Sequence, residues 1–360
     1  MSIAEPKQDG RSDHADVAGY GAVAQAVRSA TAGSLPPSYE ADRGRVSAYL
    51  RRFVGEFDGE VYALCAYHLG WADAEGRPAN QVTGKMLRPT LCLSACRAFA
   101  DADAALGIAA SIELLHAFSL VHDDIEDSDR ERHGRPTLWT LTGVPLALNA
   151  GDCLFALANR AFFEAAVAFG EGRSLVALRL FSDAYLRMIE GQHLDIEYER
   201  RPAITTDDYV RMVRGKTGAL LGASLALGAL CGGAAEADVR QLNAAGVELG
   251  LAFQAVDDML AIWGDPAQTG KAVGNDLARG KKSLPVTLAI ERGWVPDGVA
   301  SRSLDEFRAR LEALRVPEAA HAFAAEHAAV ARRLVDGVQI STHGRQELAA
   351  IFDFVVSRTR

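Results

Sequence analysis

The sequence predicts an all-α fold, built as one large helical bundle around a central cavity. Apolar residues recur at three- and four-residue spacing along most of the chain, whereas the alternation typical of strands is nearly absent. Short breaks that contain glycine, proline or acidic residues separate these segments, as at 170–172 and 232–233. With 360 residues, of which 49% are hydrophobic, the chain is long enough to bury a substantial core.

The predicted helices follow one another along the chain, each defined by an apolar stripe between two breaks. No stretch after residue 40 has the composition of a linker, so we expect a single domain over residues 39–360. Residues 1–38 are polar, end in Pro36-Pro37 and are expected to form a weakly ordered N-terminal extension. In chain order, the predicted helical segments are 40–70, 88–101, 104–129, 144–170, 174–198, 206–213, 216–232, 236–263, 284–292, 303–315, 317–339 and 344–358.

The composition limits the partners and the compartment of the protein. A formal net charge of −9 argues against nucleic acid as the main partner. The five cysteines form no CxxC pair and most lie in apolar helical context, which is typical of reduced core residues. No apolar run approaches the ~20 residues of a membrane span, and the N-terminus has no apolar signal core. We therefore expect a cytoplasmic enzyme without a membrane span.

Two aspartate pairs stand out because each lies in an apolar, alanine- and leucine-rich stretch. Asp123-Asp124 opens a DDIED run that ends at Asp127, and Asp257-Asp258 forms the second pair. On a helix, Asp123 and Asp127 project from one face because they lie four residues apart. Carboxylates that close repel one another, and burying them uncompensated is costly. Their oxygens suit Mg²⁺ that bridges to a phosphorylated substrate, and this is the chemistry we expect.

Cationic residues accompany the first aspartate pair. Lys85 and Arg88 lie three residues apart at a predicted helix start, where free N–H groups and the helix dipole favour anions. His116 shares a helical stripe with Asp123, and Arg132 follows in a basic loop. These residues predict a site for phosphate groups.

Further cations accompany the second aspartate pair. Lys216-Thr217 offers an ammonium group and a hydroxyl, and Gln254 lies one turn before the second pair. Glycines alternate with charged residues in 270–276, and Lys281 follows in a Gly-Lys-Lys run. This mixture indicates a cage for metal and diphosphate more than a solvated surface.

In this order the motifs resemble those of the isoprenyl diphosphate synthases, the trans-prenyltransferases of the polyprenyl synthetase family. The resemblance extends over roughly residues 45–350, and the complete series is far more specific than one acidic pair. It implies an isoprenoid synthase fold, condensation of isopentenyl diphosphate with an allylic prenyl diphosphate, and a homodimer. The motifs are GKxxRP at 84–89, DDxxD at 123–127, KTG at 216–218, FQxxDD at 253–258, and GKxxGxD followed by GKKSLP within 270–285.

For the allylic diphosphate, the resemblance implies a metal set and a cationic clamp. Asp123, Asp127 and Asp257 would hold three Mg²⁺ ions that bind this diphosphate. The same diphosphate would be clamped by Arg132, Lys216 and Lys281.

For the second substrate, the resemblance implies a separate basic pocket. Lys85, Arg88 and His116 would bind the diphosphate of isopentenyl diphosphate. Thr217 and Gln254 would face the reacting carbons of the two substrates.

Two positions depart from the family pattern. Ala261 stands where the family usually has a further aspartate, and His133 stands where it usually has a second arginine. His133 leaves open a terpene cyclase on the same fold, which would ionise a finished prenyl diphosphate and need no second diphosphate site. Both departures also leave open a non-catalytic subunit that binds prenyl chains or regulates a partner synthase. Retention of Lys85, Arg88 and His116 speaks against the cyclase. Retention of both first-motif aspartates and of Lys216 speaks against the non-catalytic subunit.

Product length is expected to depend on the residues that precede Asp123 on its helix. In the resembling enzymes, bulky residues four and five positions before this aspartate stop chain growth. Here Phe118 lies five before and Ser119 four before. One aromatic and one small residue resemble geranylgeranyl (C20) synthases more than farnesyl (C15) synthases.

Some polar residues receive a simpler interpretation. Gln192, Asp195 and Glu197 are interpreted as a structural polar patch on an inward-facing helix. His122 and Glu126 are assigned no function.

Overall fold

The computed structural model of the chain describes residues 35–81, 84–264, 280–295 and 304–357. Nearly all regular structure in these ranges is helical, which confirms the predicted all-α fold. The helices are α1 Pro37–Val54, α2 Glu60–His68, α3 Leu87–Arg97, α4 Leu106–Glu126, α5 Leu138–Thr142, α6 Val144–Ala166, α7 Glu171–Glu199, α8 Thr206–Val213, α9 Ala219–Cys231, α10 Glu236–Trp263, α11 Leu284–Glu291, α12 Leu304–Ala313, α13 Val316–Asp336 and α14 Thr342–Val356, with 3₁₀ turns at Ala102–Ala105 and Val167–Phe169 and a π-helical segment at Arg214–Gly218.

The N-terminal region differs from its predicted boundaries. The segment predicted at 40–70 is two helices, because the connection between α1 and α2 contains Gly55 and Gly59, which have low helix propensity. Helix α1 begins at Pro37, a residue type suited to the first helical turn, and so begins inside the predicted extension. The part of that extension up to residue 34 lies outside the described residues.

A short hairpin follows α4, although no strand was predicted there. Strand β1 (Glu131–Arg132) pairs antiparallel with β2 (Arg135–Pro136). The two residues between them, His133 and Gly134, have φ values of 53° and 72°, as tight hairpin turns require. The turn brings Arg132 back toward the end of α4.

The centre of the bundle is the almost completely buried helix α9. Apart from Ser224, whose hydroxyl binds the Leu220 carbonyl, its side chains are apolar on every face, as expected for a helix surrounded by other helices. Helices α3, α7 and α10 pack around it, and α4 packs along α6. The ends of α4, α7 and α10 that carry polar side chains are thereby brought toward a common interior space.

Helix α7 and the π-helical segment approach each other at backbone level. A methyl group built on Gly191 would overlap the backbone nitrogen of Lys216. One built on Gly215 would lie 2.6 Å from the carbonyl oxygen of Arg187. Only glycine permits this approach, which places Lys216 against the inner face of α7.

The stretch Ala102–Glu126, which ends with α4, is long and apolar enough to cross a membrane by length and composition alone. In the structure, however, 61% of its most apolar window is buried inside the protein. Its hydropathy therefore matches that of a helix in a protein core.

All five cysteines are free thiols, as their apolar helical context predicted. Cys65, Cys92 and Cys96 are buried, and the other two are half-buried. Burial raises the pKa of Cys96 to about 11.

Exposed large apolar side chains are concentrated on α5, α6, α7 and the turn between α6 and α7. Among the described residues, Val295 alone lies elsewhere. We call this set the outer apolar surface; it consists of Leu141, Val144, Leu146, Leu148, Phe163, Val167, Leu175, Val176, Leu186 and Ile189.

Candidate active site

The first aspartate turn lies at the C-terminal end of α4. Asp123 Oδ1 accepts hydrogen bonds from Lys216 Nζ at 3.2 Å and Gln192 Nε2 at 3.1 Å. Its Oδ2 is 3.3 Å from Arg132 Nη2. Burial alone would raise the pKa of Asp123, but Lys216 and Lys281 outweigh it and hold that pKa well below its usual range. Asp123 is therefore an ionised carboxylate inside the bundle.

Two lysines and two further aspartates complete a charged cluster around this carboxylate. Lys281 Nζ donates to Asp127 Oδ2 at 2.6 Å, and Lys216 Nζ donates to Asp195 Oδ2 at 2.6 Å. Lys281 Nζ also lies 3.5 Å from Asp195 Oδ2. The ammonium groups thus converge on carboxylates from α4 and α7, so cations and anions from distant parts of the chain meet in one place. We call Asp123, Asp127, Asp195, Lys216 and Lys281 the aspartate–lysine cluster.

The second aspartate pair divides into two different environments on α10. Asp258 is buried and accepts hydrogen bonds from the Tyr209 hydroxyl at 2.8 Å and the Leu284 backbone N–H at 2.8 Å. Burial raises the pKa of Asp258 to about 6, against the effect of these hydrogen bonds. Asp257 is half-buried and close enough to Arg88 to stabilise its positive charge. Asp258 therefore anchors the chain before α11, and Asp257 faces the interior.

The segment from Lys281 to Leu284 contacts both aspartate turns. Lys281 extends to Asp127 at the first turn, and three residues later the Leu284 N–H binds Asp258 at the second. The two turns therefore face a shared interior. The glycine-rich run predicted at 270–276 lies outside the described residues.

The π-helical segment also places Thr217 next to Gln254, the other residue expected to face the reacting carbons. Thr217 Oγ1 donates to Gln254 Oε1 at 2.9 Å, and Gln254 Nε2 donates to Asp258 Oδ1 at 2.9 Å. π-helical turns occur often at functional sites because they shift side chains out of helical register. Here the segment points Lys216 and Thr217 into the same interior space.

A second, basic compartment adjoins the aspartate–lysine cluster. It is a cavity of about 270 Å³, and Arg132 lies in its wall while also binding Asp123. Arg88 Nη1 donates to His116 Nε2 at 3.1 Å, and the ammonium group of Lys85 lies 5.8 Å from the ring centre of Phe354. The cationic and imidazole residues that line the cavity are His68, Lys85, Arg88, His116, Arg132, His133 and Arg135.

Two of the histidines that line this cavity are held in the neutral form. Burial and the adjacent Arg88 hold the pKa of His116 well below its usual range, so the ring is neutral. Burial lowers the pKa of His68 to about 3. In the described parts of the chain, Arg88 Nε and Glu113 Oε2 are buried without a hydrogen-bond partner. The Nε–H of Arg88 is a charged donor that suits a ligand with oxygen acceptors, whereas the Glu113 oxygen accepts hydrogen bonds when this carboxylate is ionised.

The position that departs from the arginine pattern also lies in this cavity. His133 lines it from the hairpin turn. Arg135 does not replace the missing arginine, because its guanidinium donates to the carbonyls of Tyr67 and Ala72. It also stacks over the Tyr67 ring at 4.0 Å. Ala261, the other departure, is half-buried one turn beyond Asp257 on α10.

The two residues predicted to set product length lie on α4 before the cluster. Phe118 is half-buried, and its ring centroid is 5.1 Å from that of Phe155 on α6. Ser119 donates its hydroxyl to the His116 carbonyl at 2.8 Å. Of these two positions, only Phe118 carries a bulky side chain; the small Ser119 side chain is hydrogen-bonded to the backbone of its own helix.

The oxygen donors of the cluster fit a hard cation such as Mg²⁺. The described residues contain no group of three or more His, Cys, Asp or Glu side chains arranged to hold a metal by themselves. Mg²⁺ commonly binds through one or two carboxylates and completes its shell with phosphate oxygens and water. The ionised Asp123 beside Asp127, with Asp257 across the interior, suits an ion shared with a diphosphate.

Sequence reasoning placed most residues of this region but missed several. Asp195 is central to the cluster, and Gln192 binds Asp123 and Glu126, whereas the sequence favours a structural role for Asp195 and Gln192. The only sequence signal for Gln192 and Asp195 is that two polar residues lie three positions apart on an inward-facing helix. Glu197 does not take part, since it pairs with Arg201 at the surface. Glu113 and His68 of the cavity carried no motif signal.

Comparisons with known proteins agree with this geometry. A profile of the polyprenyl synthetase family matches residues 76–299. The (2E,6E)-farnesyl diphosphate synthase of Mycobacterium tuberculosis (strain ATCC 25618 / H37Rv) is 36% identical over 352 residues, covering 90% of this chain and 97% of that protein. The geranylgeranyl diphosphate synthase of the same strain is 42% identical over 252 residues, covering 70% and 71% respectively. The crystal structure of polyprenyl synthetase from Streptomyces coelicolor A3(2) has a TM-score of 0.81 at 37% identity, covering 88% of this chain and 98% of that one.

Proposed function

The chain belongs to the polyprenyl synthetase family of trans-prenyltransferases, and we propose that it condenses isopentenyl diphosphate with an allylic prenyl diphosphate in a Mg²⁺-dependent reaction. One observation carries this proposal: the aspartate–lysine cluster and the basic cavity are separate compartments that share Arg132. Two diphosphate-bearing substrates need two such places, one with metal-binding carboxylates and one without.

The aspartate–lysine cluster would bind the allylic diphosphate. As the allylic C–O bond breaks, negative charge develops on the departing diphosphate, and preorganised cations lower the barrier most when they meet that charge. Lys216, Lys281 and Arg132 are placed for this. Mg²⁺ held by Asp123, Asp127 and Asp257, three ions by family resemblance, would supply further electrophilic stabilisation there.

The basic cavity would hold the second substrate. Lys85, Arg88 and His116 would bind the diphosphate of isopentenyl diphosphate and so direct its double bond toward the allylic cation. That double bond attacks the cation, a C–C bond forms, and a proton leaves to the released diphosphate. Thr217 and Gln254, bonded to each other at 2.9 Å, would face the reacting carbons. No protein nucleophile is needed.

We propose geranylgeranyl diphosphate as the final product. A single half-buried ring, Phe118, with the small Ser119 beside it leaves more room than two bulky residues would. The two mycobacterial relatives are a farnesyl and a geranylgeranyl diphosphate synthase, and both are similar to this chain.

We also propose that two copies of the chain form a homodimer through the outer apolar surface. Its exposed side chains include Phe163 at 52%, Leu146 at 52% and Leu186 at 53%. Exposed apolar residues grouped in this way are typical of protein interfaces. The family resemblance favours a second copy of the same chain as the partner.

Incubating the purified protein with Mg²⁺, isopentenyl diphosphate and each allylic primer in turn tests the function. Longer prenyl diphosphates should accumulate, with the C20 product as the end point. A hydrocarbon formed from geranylgeranyl or farnesyl diphosphate alone would indicate a cyclase instead. No turnover alone, combined with stimulation of a second synthase, would indicate a regulatory subunit. Product analysis by chromatography and mass spectrometry distinguishes these outcomes.

A further inference from the structure

A glutamate lies in the wall of the basic cavity, among the cations that suit an anion. Glu113 lies on α4, three residues before His116, and lines the cavity together with Lys85 and Arg88. Its Oε2 is buried and has no hydrogen-bond partner among the described residues. An ionised carboxylate in this wall has the same sign of charge as a diphosphate and opposes its binding. The effect of Glu113 on such a ligand therefore depends on whether this side chain carries a proton.

Two arginines act on the charge of Glu113 but do not dominate it. Arg88 Nη1 donates to His116 Nε2 at 3.1 Å, while Arg88 Nε is buried without a partner in the described ranges. Arg43 Nε, on α1, is in the same condition. Burial outweighs the favourable charges of Arg88 and Arg43 and raises the pKa of Glu113 to about 7. At neutral pH, the carboxyl thus exchanges between its ionised and its protonated form.

The other titratable groups near Glu113 hold a proton less readily or do not titrate near neutral pH. Burial keeps both His116 and His68 neutral. Burial also raises the pKa of the Tyr39 hydroxyl on α1, so this group stays uncharged. Asp124, paired with Arg132 at 2.7 Å, has a pKa raised by burial only to about 6. The remaining charged or titratable groups that line the cavity are Lys85, Arg88, Arg132, His133 and Arg135.

We propose that Glu113 binds the diphosphate of isopentenyl diphosphate as a neutral carboxylic acid, which takes up a proton as the diphosphate enters and donates its O–H to a phosphate oxygen. This inference rests on the proposed function, in which the basic cavity holds isopentenyl diphosphate. An ionised carboxyl group only accepts hydrogen bonds, whereas a protonated one also donates one. The proton comes from solvent and remains on Glu113, so the charge of the cavity rises by one as the anion binds.

Proton uptake and diphosphate binding should reinforce each other. The negative charge of the diphosphate raises the pKa of the adjacent carboxyl further, and by reciprocity the protonated carboxyl favours the diphosphate. With a pKa of about 7, Glu113 is mostly protonated at pH 6, but about nine in ten molecules are ionised at pH 8. The KM for isopentenyl diphosphate should therefore rise about tenfold from pH 6 to pH 8 through this group alone.

Glu113→Gln tests the inference, because the amide keeps the shape, stays neutral at every pH and still offers an N–H donor. At saturating allylic substrate, the ratio of the parent's KM for isopentenyl diphosphate to that of the variant should rise about tenfold from pH 6 to pH 8. The ratio of the kcat values should not change. Titration of isopentenyl diphosphate itself cancels in this ratio. Glu131→Gln, an exposed carboxylate change, is the matched control, and its KM ratio to the parent should stay constant.

Calorimetry gives a second readout, which a purely structural role of Glu113 would not change. Isopentenyl diphosphate is titrated at pH 8 into each protein loaded with Mg²⁺ and an allylic thiolodiphosphate, whose C–S bond resists ionisation. The heats in two buffers of different ionisation enthalpy give the number of protons taken up. The parent should take up roughly one proton per site more than Glu113→Gln.

The outcomes separate the inference from the function on which it rests. Parallel pH profiles of KM for the parent and Glu113→Gln would overturn the inference, and so would a KM raised by the same factor at both pH values. Equal proton uptake by the two proteins would also overturn it, because the proton would then reside on another group, such as His133. A parent enzyme that incorporates no isopentenyl diphosphate with any primer would contradict the proposed function itself, before any variant is compared.

Discussion

Asp195 organises two cations that come from different parts of the chain. Its Oδ2 lies 2.6 Å from Lys216 Nζ and 3.5 Å from Lys281 Nζ. Burial alone would raise the pKa of Asp195, but Lys216 and Lys281 lower it, so the carboxylate stays charged. Without it, Lys216 would keep only Asp123 and Lys281 only Asp127 as a carboxylate partner in the cluster, and the repulsion between the two ammonium groups would be less compensated.

We therefore expect Asp195→Asn to impair use of the allylic diphosphate. The change keeps the shape of the side chain but removes its charge, so kcat/KM for the allylic substrate should fall roughly ten- to hundredfold, as for other residues that orient a charged site. Steady-state kinetics at saturating isopentenyl diphosphate measure this. Asp183→Asn, on the exposed part of the same helix, is the control and should change little. An Asp195→Asn enzyme as active as the control would remove Asp195 from the site.

Ionisation of Glu113 should make the stability of the folded protein depend on pH. Burial raises its pKa from 4.5 to about 7, against the opposing effect of Arg88 and Arg43. The folded protein thus binds this proton more tightly than the unfolded chain. The resulting contribution to stability is complete below about pH 4.5 and is lost as the pH rises through about 7.

Glu113→Gln should remove that loss. The free energy of unfolding of the variant minus that of the parent should be about 2 kcal/mol larger at pH 8 than at pH 5, because the variant has no carboxylate to ionise at this position. Denaturant titrations of both proteins at the two pH values measure the difference. Glu131→Gln, an exposed carboxylate change, should show no such pH-dependent difference. A constant difference between parent and Glu113→Gln across this range would contradict the interpretation.

At the scale of elements, the contact between α7 and the π-helical segment decides where Lys216 lies. The two backbones touch at Gly191 and Gly215, with no room for a side chain at either position. A two-ångström shift of α7 would separate Lys216 from Asp195, whose ion pair depends on this approach. The geometry of the charged cluster thus depends on two residues that carry no charge.

Gly191→Ala should therefore reduce both activity and stability. The added methyl group overlaps the backbone of Lys216, and overpacking of this kind typically costs 1–3 kcal/mol. Thermal unfolding together with kcat measures the two effects. Gly172→Ala is a matched control on the same helix, since a methyl group there meets nothing within 4 Å. Equal behaviour of the two alanine variants would show that the close approach is not required.

At the scale of the whole molecule, the outer apolar surface is exposed in a single chain. It exposes large aliphatic and aromatic groups along α5, α6 and α7, while the charged cluster and the cavity lie inside the bundle. Burying such a surface against a second copy gains hydrophobic free energy without changing the interior.

A double substitution in this surface tests the dimer. Leu146→Glu combined with Ile189→Glu places two charges where apolar contact is proposed, so the protein should sediment as a monomer. Sedimentation velocity gives the oligomeric state of parent and variant. Val295→Glu changes an exposed apolar residue outside this surface, so it should leave the dimer intact. A parent that sediments as a monomer would refute the proposal.

The sequence by itself determined the helices and the positions of the motifs. The segments predicted at 206–213 and 236–263 match α8 and α10 residue for residue, because helical periodicity is a local property. Lys85, Arg88 and His116, which the family resemblance groups together, line one cavity in the structure. The periodicity did not reveal the break between α1 and α2, where the apolar spacing continues through two glycines.

Only the tertiary structure decided which charged and aromatic groups meet. Lys281 binds Asp127 across 154 positions of sequence, and Asp195 became a partner of Lys216 only when α7 packed against the π-helical segment. The contact of Phe155 with Phe118 likewise joins α6 to α4. A periodic pattern specifies which face of a helix is buried, but not which other helix covers it. The partners of each inward-facing side chain are therefore set by packing between distant segments.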